Sequence, residues 1–455
     1  MVDMHHGRAL PRGWIFIMGL IGSLMTLPGQ TNGVSAFTDH LIEAVQITRD
    51  QLSLAYLLGT LTSAFLLPHA GKLYDRWGSR VTGAASAAGL GISLFGLVSL
   101  PQVISGAGQL GLPPIAAALI SFWLGFFLIR FFGQGMLTLI SRNMILKWFD
   151  DRRGFAIALL GIGMPLGFSA APSVLNALIG SVGWQGAWLV LGAILLGFAL
   201  VAAATYADPP LESGHDATAA TRTYAPNTAP IPLLLRPIAR LLNRYGLRRT
   251  REPMRPVRDR TLSEARRSLG FWVFNGVTTL SGMLVTGFTF HVVAIMGQSG
   301  VGRTQALAIF IPTAIIQIAV QTVGSFGSDF VKLKYFAIAH AASLGLMLLS
   351  LELLSVTGAA YWLVVLFQGI SLGLFGINSA VVWPRFFGLR HLGAISGFSN
   401  AWMVAGSALG PYAFSLAERL TGSFYTILYV MGPVALLLTV LGFRAESPAR
   451  ADAGL

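Results

Sequence analysis

The chain is dominated by stretches of about 20 residues that carry almost no charged side chain. A helix of that length spans the hydrocarbon core of a bilayer, which is about 30 Å thick. A helix also satisfies its own backbone hydrogen bonds where no water is available. Only 11% of the residues are charged, against about 25% in soluble domains. The sequence therefore predicts an all-α membrane protein and excludes an ordinary soluble enzyme.

Twelve such stretches can be counted, which predicts twelve transmembrane helices. They cover residues 13–37, 51–71, 79–99, 115–141, 154–179, 185–205, 269–296, 304–327, 334–355, 359–383, 392–416 and 422–443. An even number of spans places both termini on one side, and that side holds 27 of the 31 Lys and Arg residues. Because basic loops stay in the cytoplasm, we predict an integral protein of the bacterial inner membrane with both termini cytoplasmic.

Several classes of function are excluded by what the sequence lacks. The net charge of +13 follows from the topology, so the lipid bilayer is the expected partner and nucleic acid is not. The chain has no Cys, which rules out disulfides and thiolate chemistry. It has no H-E-x-x-H pair, no G-x-S-x-G elbow and no phosphate-binding loop. We therefore predict no enzymatic activity, no catalytic residue, no metal and no cofactor, and a chain that acts as a monomer.

The two halves of the chain repeat each other. Residues 147–158, which follow the fourth span, are similar in sequence to residues 383–397, which follow the tenth span. Repeated halves of this kind are typical of carriers built from two bundles around a central path. The predicted parts are a six-helix bundle at 1–206, a basic cytoplasmic linker at 207–268 and a second, pseudo-symmetric six-helix bundle at 269–455.

The linker between the halves carries twelve arginines. Its first part, residues 209–230, is predicted to be disordered, and residues 234–248 have the pattern of an amphipathic helix on anionic headgroups. Thr261 and Glu264 have the spacing of a capping box. We therefore expect a helix that begins there and continues into the seventh span.

The loop after the second span carries a specific signature. Residues 71–80 read G-K-L-Y-D-R-W-G-S-R, which matches the pattern G-x-L-x-D-R-x-G-R at nearly every place. On this motif and on the repeat, the chain resembles the major facilitator superfamily. The resemblance implies that the loop holds the two halves together in one conformation and therefore has a gating role. Alternatively, its arginines only set the topology of the chain in the membrane. The predicted gating residues are Gly71, Asp75, Arg76, Gly78 and Arg80.

Within that superfamily the chain is similar to the monocarboxylate and oxalate:formate-type porters. The similarity rests on residues 33–37, G-V-S-A-F, on residues 148–156 and on residues 388–397. It implies a secondary active transporter of a small organic anion, a monocarboxylate by this resemblance, with proton symport as a further expectation. An efflux carrier for drugs or amphipathic metabolites remains the alternative.

One charged residue lies deep inside a span. Arg130 is near the middle of the fourth span, and no Asp or Glu occupies the middle third of any span. A buried guanidinium needs an anion, backbone carbonyls or water around it. Arginine binds carboxylates with two parallel hydrogen bonds, so an anionic substrate would fill this need. The alternative is that Arg130 braces its helix through carbonyl groups, and both interpretations remain open at this point.

Other polar and aromatic side chains in the spans complete the predicted site. Pro28 and Gly29 interrupt the first span beside three polar residues, and Gln368 is the pseudo-symmetric counterpart of Arg130. His291 is the candidate for proton coupling. The predicted substrate-binding residues are Arg130, Gln30, Thr31, Asn32, Gln134, Gln368, Tyr56, Asn378 and Trp402.

Overall fold

A computed structural model describes residues 11–149, 153–209, 259–328, 331–388 and 391–446, and these residues form helices and no strand. Eight helical stretches in the described part are long and apolar enough to cross a membrane. One of them, Leu159–Thr205, is divided into two spans by Gly183, whose φ is 74°. The predicted first, second and eleventh spans are not among these eight stretches, and they also lie in helices, at Arg12–Met25, Arg49–Val98 and Leu392–Thr421. The prediction of an all-α membrane protein with twelve transmembrane helices is confirmed.

The N-terminal half contains six spans. Its helices are Arg12–Met25, Leu27–Gly29, Thr31–Ser35, Thr38–Val45, Arg49–Val98, Leu100–Gln109, Pro114–Ile129, Arg130–Leu137, Thr138–Trp148 and Arg153–Thr205. The second and third spans form one run that breaks at Gly78, where φ is 72° and ψ is 177°. Only glycine adopts this backbone conformation without strain, so the turn between the two spans requires glycine at this position.

The C-terminal half repeats this arrangement. Its helices are Leu262–Ala265, Leu269–Gly297, Arg303–Ala308, Phe310–Gly327, Leu333–Leu354, Ala360–Ile377, Asn378–Val382, Trp383–Phe387, Leu392–Thr421, Phe424–Thr426 and Ile427–Gly442. In both halves the middle of a long span is a π-helix, at Arg130–Leu137 in the fourth and at Asn378–Val382 in the tenth.

The first span is interrupted as its sequence predicts. Leu27–Gly29 forms a single 3-10 turn, and Gln30 is extended, with φ −89° and ψ 153°. The helix resumes at Thr31–Ser35. Pro28 has no N–H to donate, so the chain leaves helical geometry here and exposes backbone carbonyls at mid-depth.

The two ends of the molecule differ in how the halves meet. We call the end that carries Pro11, the turn at Gly78 and Glu446 the proximal end, and the end that carries Asp39 and Arg303 the distal end. Apolar side chains fill each half. Phe290 of the seventh span packs into the core of the N-terminal half, which joins the two halves toward the distal end.

The linker lies mostly outside the described residues. The predicted disordered stretch, apart from Pro209, and the predicted amphipathic helix fall in 210–258, which the structure does not describe. The capping box is confirmed, since Thr261 N donates to Glu264 Oε2 at 2.8 Å. The predicted continuous helix was wrong, because the helix ends at Ala265 and Ser268 caps a new one by accepting from Phe271 N at 3.3 Å.

Candidate functional site

Arg130 is buried where the first, second and fourth spans meet. Its side chain is 1% exposed. Nη1 donates to the carbonyl of Gly29 at 3.2 Å and to Thr31 Oγ1 at 3.4 Å, and the guanidinium carbon lies 5.1 Å from the centre of the Tyr56 ring. Thr31 Oγ1 and the Tyr56 hydroxyl are hydrogen-bonded at 2.7 Å. Three predicted site residues are therefore brought together around one buried positive charge.

One edge of this guanidinium has no partner. Both hydrogen bonds of Arg130 use Nη1, and its buried Nε has no hydrogen-bond partner in the described part of the chain. Among the described residues no carboxylate forms an ion pair with Arg130. The Nε edge is one of the two forks with which arginine binds a carboxylate. The Nε edge therefore keeps a hydrogen-bond donor that no group in the described part of the chain satisfies.

The site depends on close contact between the first and fourth spans. A Cβ at Gly29 would lie 3.0 Å from Gly133 Cα and 3.2 Å from Gln134 N, and would collide with the carbonyl oxygen of Ile129. The fourth span is a π-helix at this level, and π-helical turns often occur at functional sites. Glycine on the first span lets the interrupted backbone of that span reach the guanidinium.

The other two polar residues of the first span point elsewhere. Gln30 Nε2 donates to Thr26 Oγ1 at 3.1 Å and to Thr138 Oγ1 at 3.4 Å. Asn32 Nδ2 donates to the carbonyl of Phe168 in the fifth span at 3.3 Å. These contacts attach the broken first span to its neighbours, and the structure places neither side chain against Arg130.

Two further predicted residues are exposed. Gln134 lies one turn after Arg130 and is exposed. Trp402 is 47% exposed and packs against Phe398 and Trp272, with ring centres 6.3 and 6.4 Å apart. The structure does not bring these side chains together with Arg130.

The predicted residues of the C-terminal half are buried and incompletely hydrogen-bonded. Gln368 is 1% exposed, and its Oε1 has no partner among the described residues. Asn378 is 1% exposed and its Nδ2 lies 3.1 Å from His340 Nδ1. Its Oδ1 and His340 Nε2 find no partner in the part of the chain that the structure covers. Among these residues, the half opposite Arg130 therefore offers amide and imidazole groups and no carboxylate.

A cavity of about 470 Å³ lies between the halves toward the proximal end. It is lined by Arg142 of the fourth span and, from the other half, by Thr278, Phe375, Ser379, Trp383 and Asn400, among others. No carboxylate belongs to its lining within the described residues. Sequence reasoning missed Arg142, which lies just past the predicted end of the fourth span, where a basic residue was assigned to topology.

Ion pairs join the two halves at the distal end. Asp39 accepts from Arg303 at 3.1 Å across the interface and from Arg49 of its own half at 2.9 Å. Asp50 accepts from Arg419 at 3.1 Å, also across the interface. Arg303 donates in addition to Asn176 at 2.8 Å and to the carbonyl of Ala36. The halves are thus in contact at the distal end and apart around the proximal cavity.

His291 takes part in the same interface. Its side chain is 1% exposed, and its Nε2 lies 2.9 Å from the carbonyl of Pro411 and 3.3 Å from Ser53 Oγ of the other half. Nearby, Thr38 Oγ1 donates to the carbonyl of Phe290 at 3.4 Å. The imidazole of His291 is therefore part of the contact between the halves at the distal end. It is not adjacent to the hydrogen-bonded pair of Asn378 and His340.

The predicted gating loop is held by an acid that sequence reasoning missed. Asp208, after the sixth span, accepts from Ser79 N at 2.6 Å, Ser79 Oγ at 2.8 Å and Lys147 Nζ at 3.3 Å. It thereby caps the third span. Arg80 Nε donates to the carbonyl of Tyr206 at 3.1 Å.

Of the remaining gating residues, Arg76 is exposed. Gly71 and Asp75 lie in the helical run Arg49–Val98, and the side chain of Asp75 is not described. The gating role of this loop stays a prediction.

The pH dependence of stability is expected to reveal the role of Asp208. Burial alone would raise the pKa of this carboxyl, but hydrogen bonds from Ser79 and the charge of Lys147 outweigh burial and lower it from the usual 3.8. A carboxyl with a lowered pKa in the folded state contributes stability above about pH 4, and this contribution is lost as the pH falls through the folded-state pKa. Asp208→Asn should therefore lower the thermal midpoint in detergent at pH 7, and the difference from wild type should shrink as the pH falls below about 4. A difference that does not change with pH would assign Asp208 a packing role only.

Comparisons with known proteins agree with this architecture. The fold is similar to that of the nucleoside transporter NupG, in a mutant form, with a TM-score of 0.64 and 13% identity over 95% of this chain and 99% of that chain. It is also similar to a bacterial homolog of the human lysosomal transporter Spinster, in an inward-facing and unoccupied conformation. That match has a TM-score of 0.61 and 15% identity over 96% of this chain and 93% of the other.

In sequence the chain is 32% identical over 148 residues to an uncharacterized 38 kDa protein in a 23S RNA operon of Thermoproteus tenax. That match covers 32% of this chain and 33% of the relative, so the chain spans about a third of that relative's length. The model of the Major Facilitator Superfamily matches residues 16–411. The chain belongs to the Major Facilitator Superfamily and is an integral membrane transporter, not an enzyme.

Proposed function

We propose that this transporter is a secondary carrier of a small organic anion, a monocarboxylate, that works by alternating access between its two halves. The observation that supports this most is the buried guanidinium of Arg130, which has an unpartnered Nε and no ion-paired carboxylate among the described residues. A buried unpaired charge costs several kcal/mol. A negatively charged cargo would remove that cost during binding.

The number of charges at the site favours a monocarboxylate. Arg130 supplies one positive charge, and Thr31 and Tyr56 supply hydroxyl groups beside it. One carboxylate would balance this charge, whereas a second carboxylate would be buried without a counter-charge. The hydroxyls can hydrogen-bond a hydroxy or keto group of the cargo.

The contacts between the halves support a direction for the cavity. With the basic proximal end in the cytoplasm of a bacterial cell, the cavity beside Arg142 would open inward, and the ion pairs of Asp39 and Asp50 would close the outside. This is the expected arrangement of an inward-open carrier. His291 contacts Ser53 of the other half, a contact that requires the distal interface to be closed. We propose His291 as the group for proton coupling.

Transport into vesicles tests the proposed cargo against drug efflux. Purified protein in liposomes should exchange a radiolabelled monocarboxylate such as L-lactate by counterflow, and should not exchange a lipophilic cation. The cavity offers the positive charge of Arg142 and no described carboxylate, so cations are disfavoured. Exchange of the cation without exchange of any carboxylate would overturn the proposal in favour of efflux.

The distal ion pairs are expected to control access from outside. Removal of one partly exposed ion pair costs about 1 kcal/mol, and Arg303→Gln also loses hydrogen bonds to Asn176 and Ala36, so it should raise the population that is open at the distal end at least severalfold. The chain has no native cysteine, so Thr38→Cys, which is 2% exposed in the closed interface, reports opening through its labelling by an impermeant maleimide. Arg49→Gln is the matched control, because Arg49 pairs with the same Asp39 from within its own half. Equal labelling rates in the two variants would contradict the gate.

A further inference from the structure

Arg142 and Arg130 lie on one helical run, twelve residues apart. In a regular α-helix, twelve residues make about 3.3 turns, which would place the two side chains about 120° apart around the axis. The π-helix Arg130–Leu137 lies between them. Because π-helical turns hold about one residue more than α-helical turns, the remaining offset is only about 20°. The irregular segment therefore brings positions 130 and 142 to nearly the same side of the fourth span.

The two arginines differ in their surroundings. Arg130 is 1% exposed, while Arg142 is exposed and lines the proximal cavity. No described carboxylate forms an ion pair with Arg142. Polar residues of the other half line the same cavity, among them the exposed Ser379 and Asn400. Such a wall can hydrogen-bond an anion but cannot neutralise a cation.

We propose that Arg142 forms an outer anion-binding subsite in the proximal cavity, which receives a small carboxylate before Arg130 binds it and holds it again before release. This inference rests on the proposed function for the identity of the ligand. The positive charge of the subsite follows from the residues that line the cavity and does not depend on the identity of the ligand. Arg142 acts as an attracting charge at a solvated position, so lysine should replace it, whereas Arg130 needs its planar fork.

The local charge can be measured without any substrate. Asn400 is exposed on the cavity wall, and Asn400→Cys would be the single thiol in a chain that has no native cysteine. Its reaction rates with an anionic and a cationic methanethiosulfonate give a rate ratio that follows the local potential. Arg142→Gln should lower the anion-to-cation ratio about three- to tenfold, and Arg142→Lys should restore it. Arg444→Gln, an exposed arginine outside the lining, is the matched control and should leave the ratio unchanged.

Sided kinetics test the subsite as part of the transport path. In oriented vesicles with L-lactate as the probe, Arg142→Gln should raise the half-saturating concentration about three- to tenfold from the cavity side and much less from the opposite side. If Arg142→Gln changes neither the labelling-rate ratio nor the half-saturating concentration, the subsite is overturned. This holds even if Arg130→Gln abolishes uptake. If lactate is not transported at all but the ratio falls in Arg142→Gln, the anion subsite stands and the proposed cargo fails.

Discussion

Arg130→Gln is expected to reduce monocarboxylate uptake about 100-fold. Hydrogen bonds to a charged group contribute about 1.5–3 kcal/mol, and about 2.7 kcal/mol corresponds to a factor of 100 in affinity. Arg130→Lys keeps the charge but loses the fork, so we expect a partial loss, on the order of tenfold. Initial uptake rates in proteoliposomes, at matched protein content, measure both effects.

The thermal midpoint of the same variants separates the two interpretations of Arg130. If the guanidinium is kept for a ligand, its burial without a counter-charge destabilises the empty carrier, and Arg130→Gln should unfold at the same temperature as wild type or higher. Gln368 shows that a glutamine is accommodated at the matching depth of the tenth span. If Arg130 is only a brace to Gly29 and Thr31, Arg130→Gln should lower the midpoint and leave the affinity of the remaining folded protein unchanged.

Gly29→Ala is expected to be a strongly damaging substitution in the first span. The added methyl group would meet backbone atoms, namely the Ile129 carbonyl and Gly133 Cα, and backbone cannot rotate away as a side chain can. Overpacking costs 1–3 kcal/mol in typical cases, and we expect about 3 kcal/mol here. The first span would have to move away from the fourth, which would also separate Arg130 from Thr31.

The matched control for this prediction lies in the same span. A Cβ at Gly13 would meet no atom within 4 Å, so Gly13→Ala should be neutral or slightly stabilising. Thermal unfolding and size-exclusion profiles of the two variants in detergent make the comparison. Equal thermal midpoints for Gly29→Ala and Gly13→Ala would show that the close contact between the first and fourth spans is not required.

The architecture and the position of the central charge could be predicted from sequence because both follow from the bilayer. A span needs about 20 apolar residues, and an arginine without an acid in such a span is conspicuous whatever its neighbours are. The turn at Gly78 was predictable for a similar local reason, since two spans meet there within a few residues. The sequence alone identifies both Arg130 and its contact Thr31 as candidate site residues.

The directions of the neighbouring side chains could not be predicted in this way. Gln30 and Asn32 flank Thr31, but the extended residue Gln30 resets the helical phase, so only Thr31 reaches Arg130. The π-helix in the fourth span changes the register of every residue after it, and no sequence pattern identifies it. Counting residues on an ideal helix therefore gives a wrong azimuth for Arg142.

Two charged groups were missed because their roles depend on contacts distant in sequence. Asp208 is the first acidic residue after the sixth span and lies at the start of the predicted linker, yet it caps the third span through Ser79. Arg303 lies between the seventh and eighth predicted spans, on the side with few basic residues, and it joins the two halves through Asp39. A composition argument assigns such residues to the surface, and only the packing of the spans shows their partners.

Binding of a carboxylate and of its amide to the purified carrier tests the central claim most directly. The two compounds have nearly the same shape and differ in charge, and a ligand that binds the folded state raises the thermal midpoint. We predict that L-lactate raises the midpoint of the wild-type protein, that lactamide does not, and that Arg130→Gln abolishes the effect of lactate. Equal shifts with acid and amide, or a lactate shift that persists in Arg130→Gln, would contradict the assignment of Arg130 as the anion-binding group.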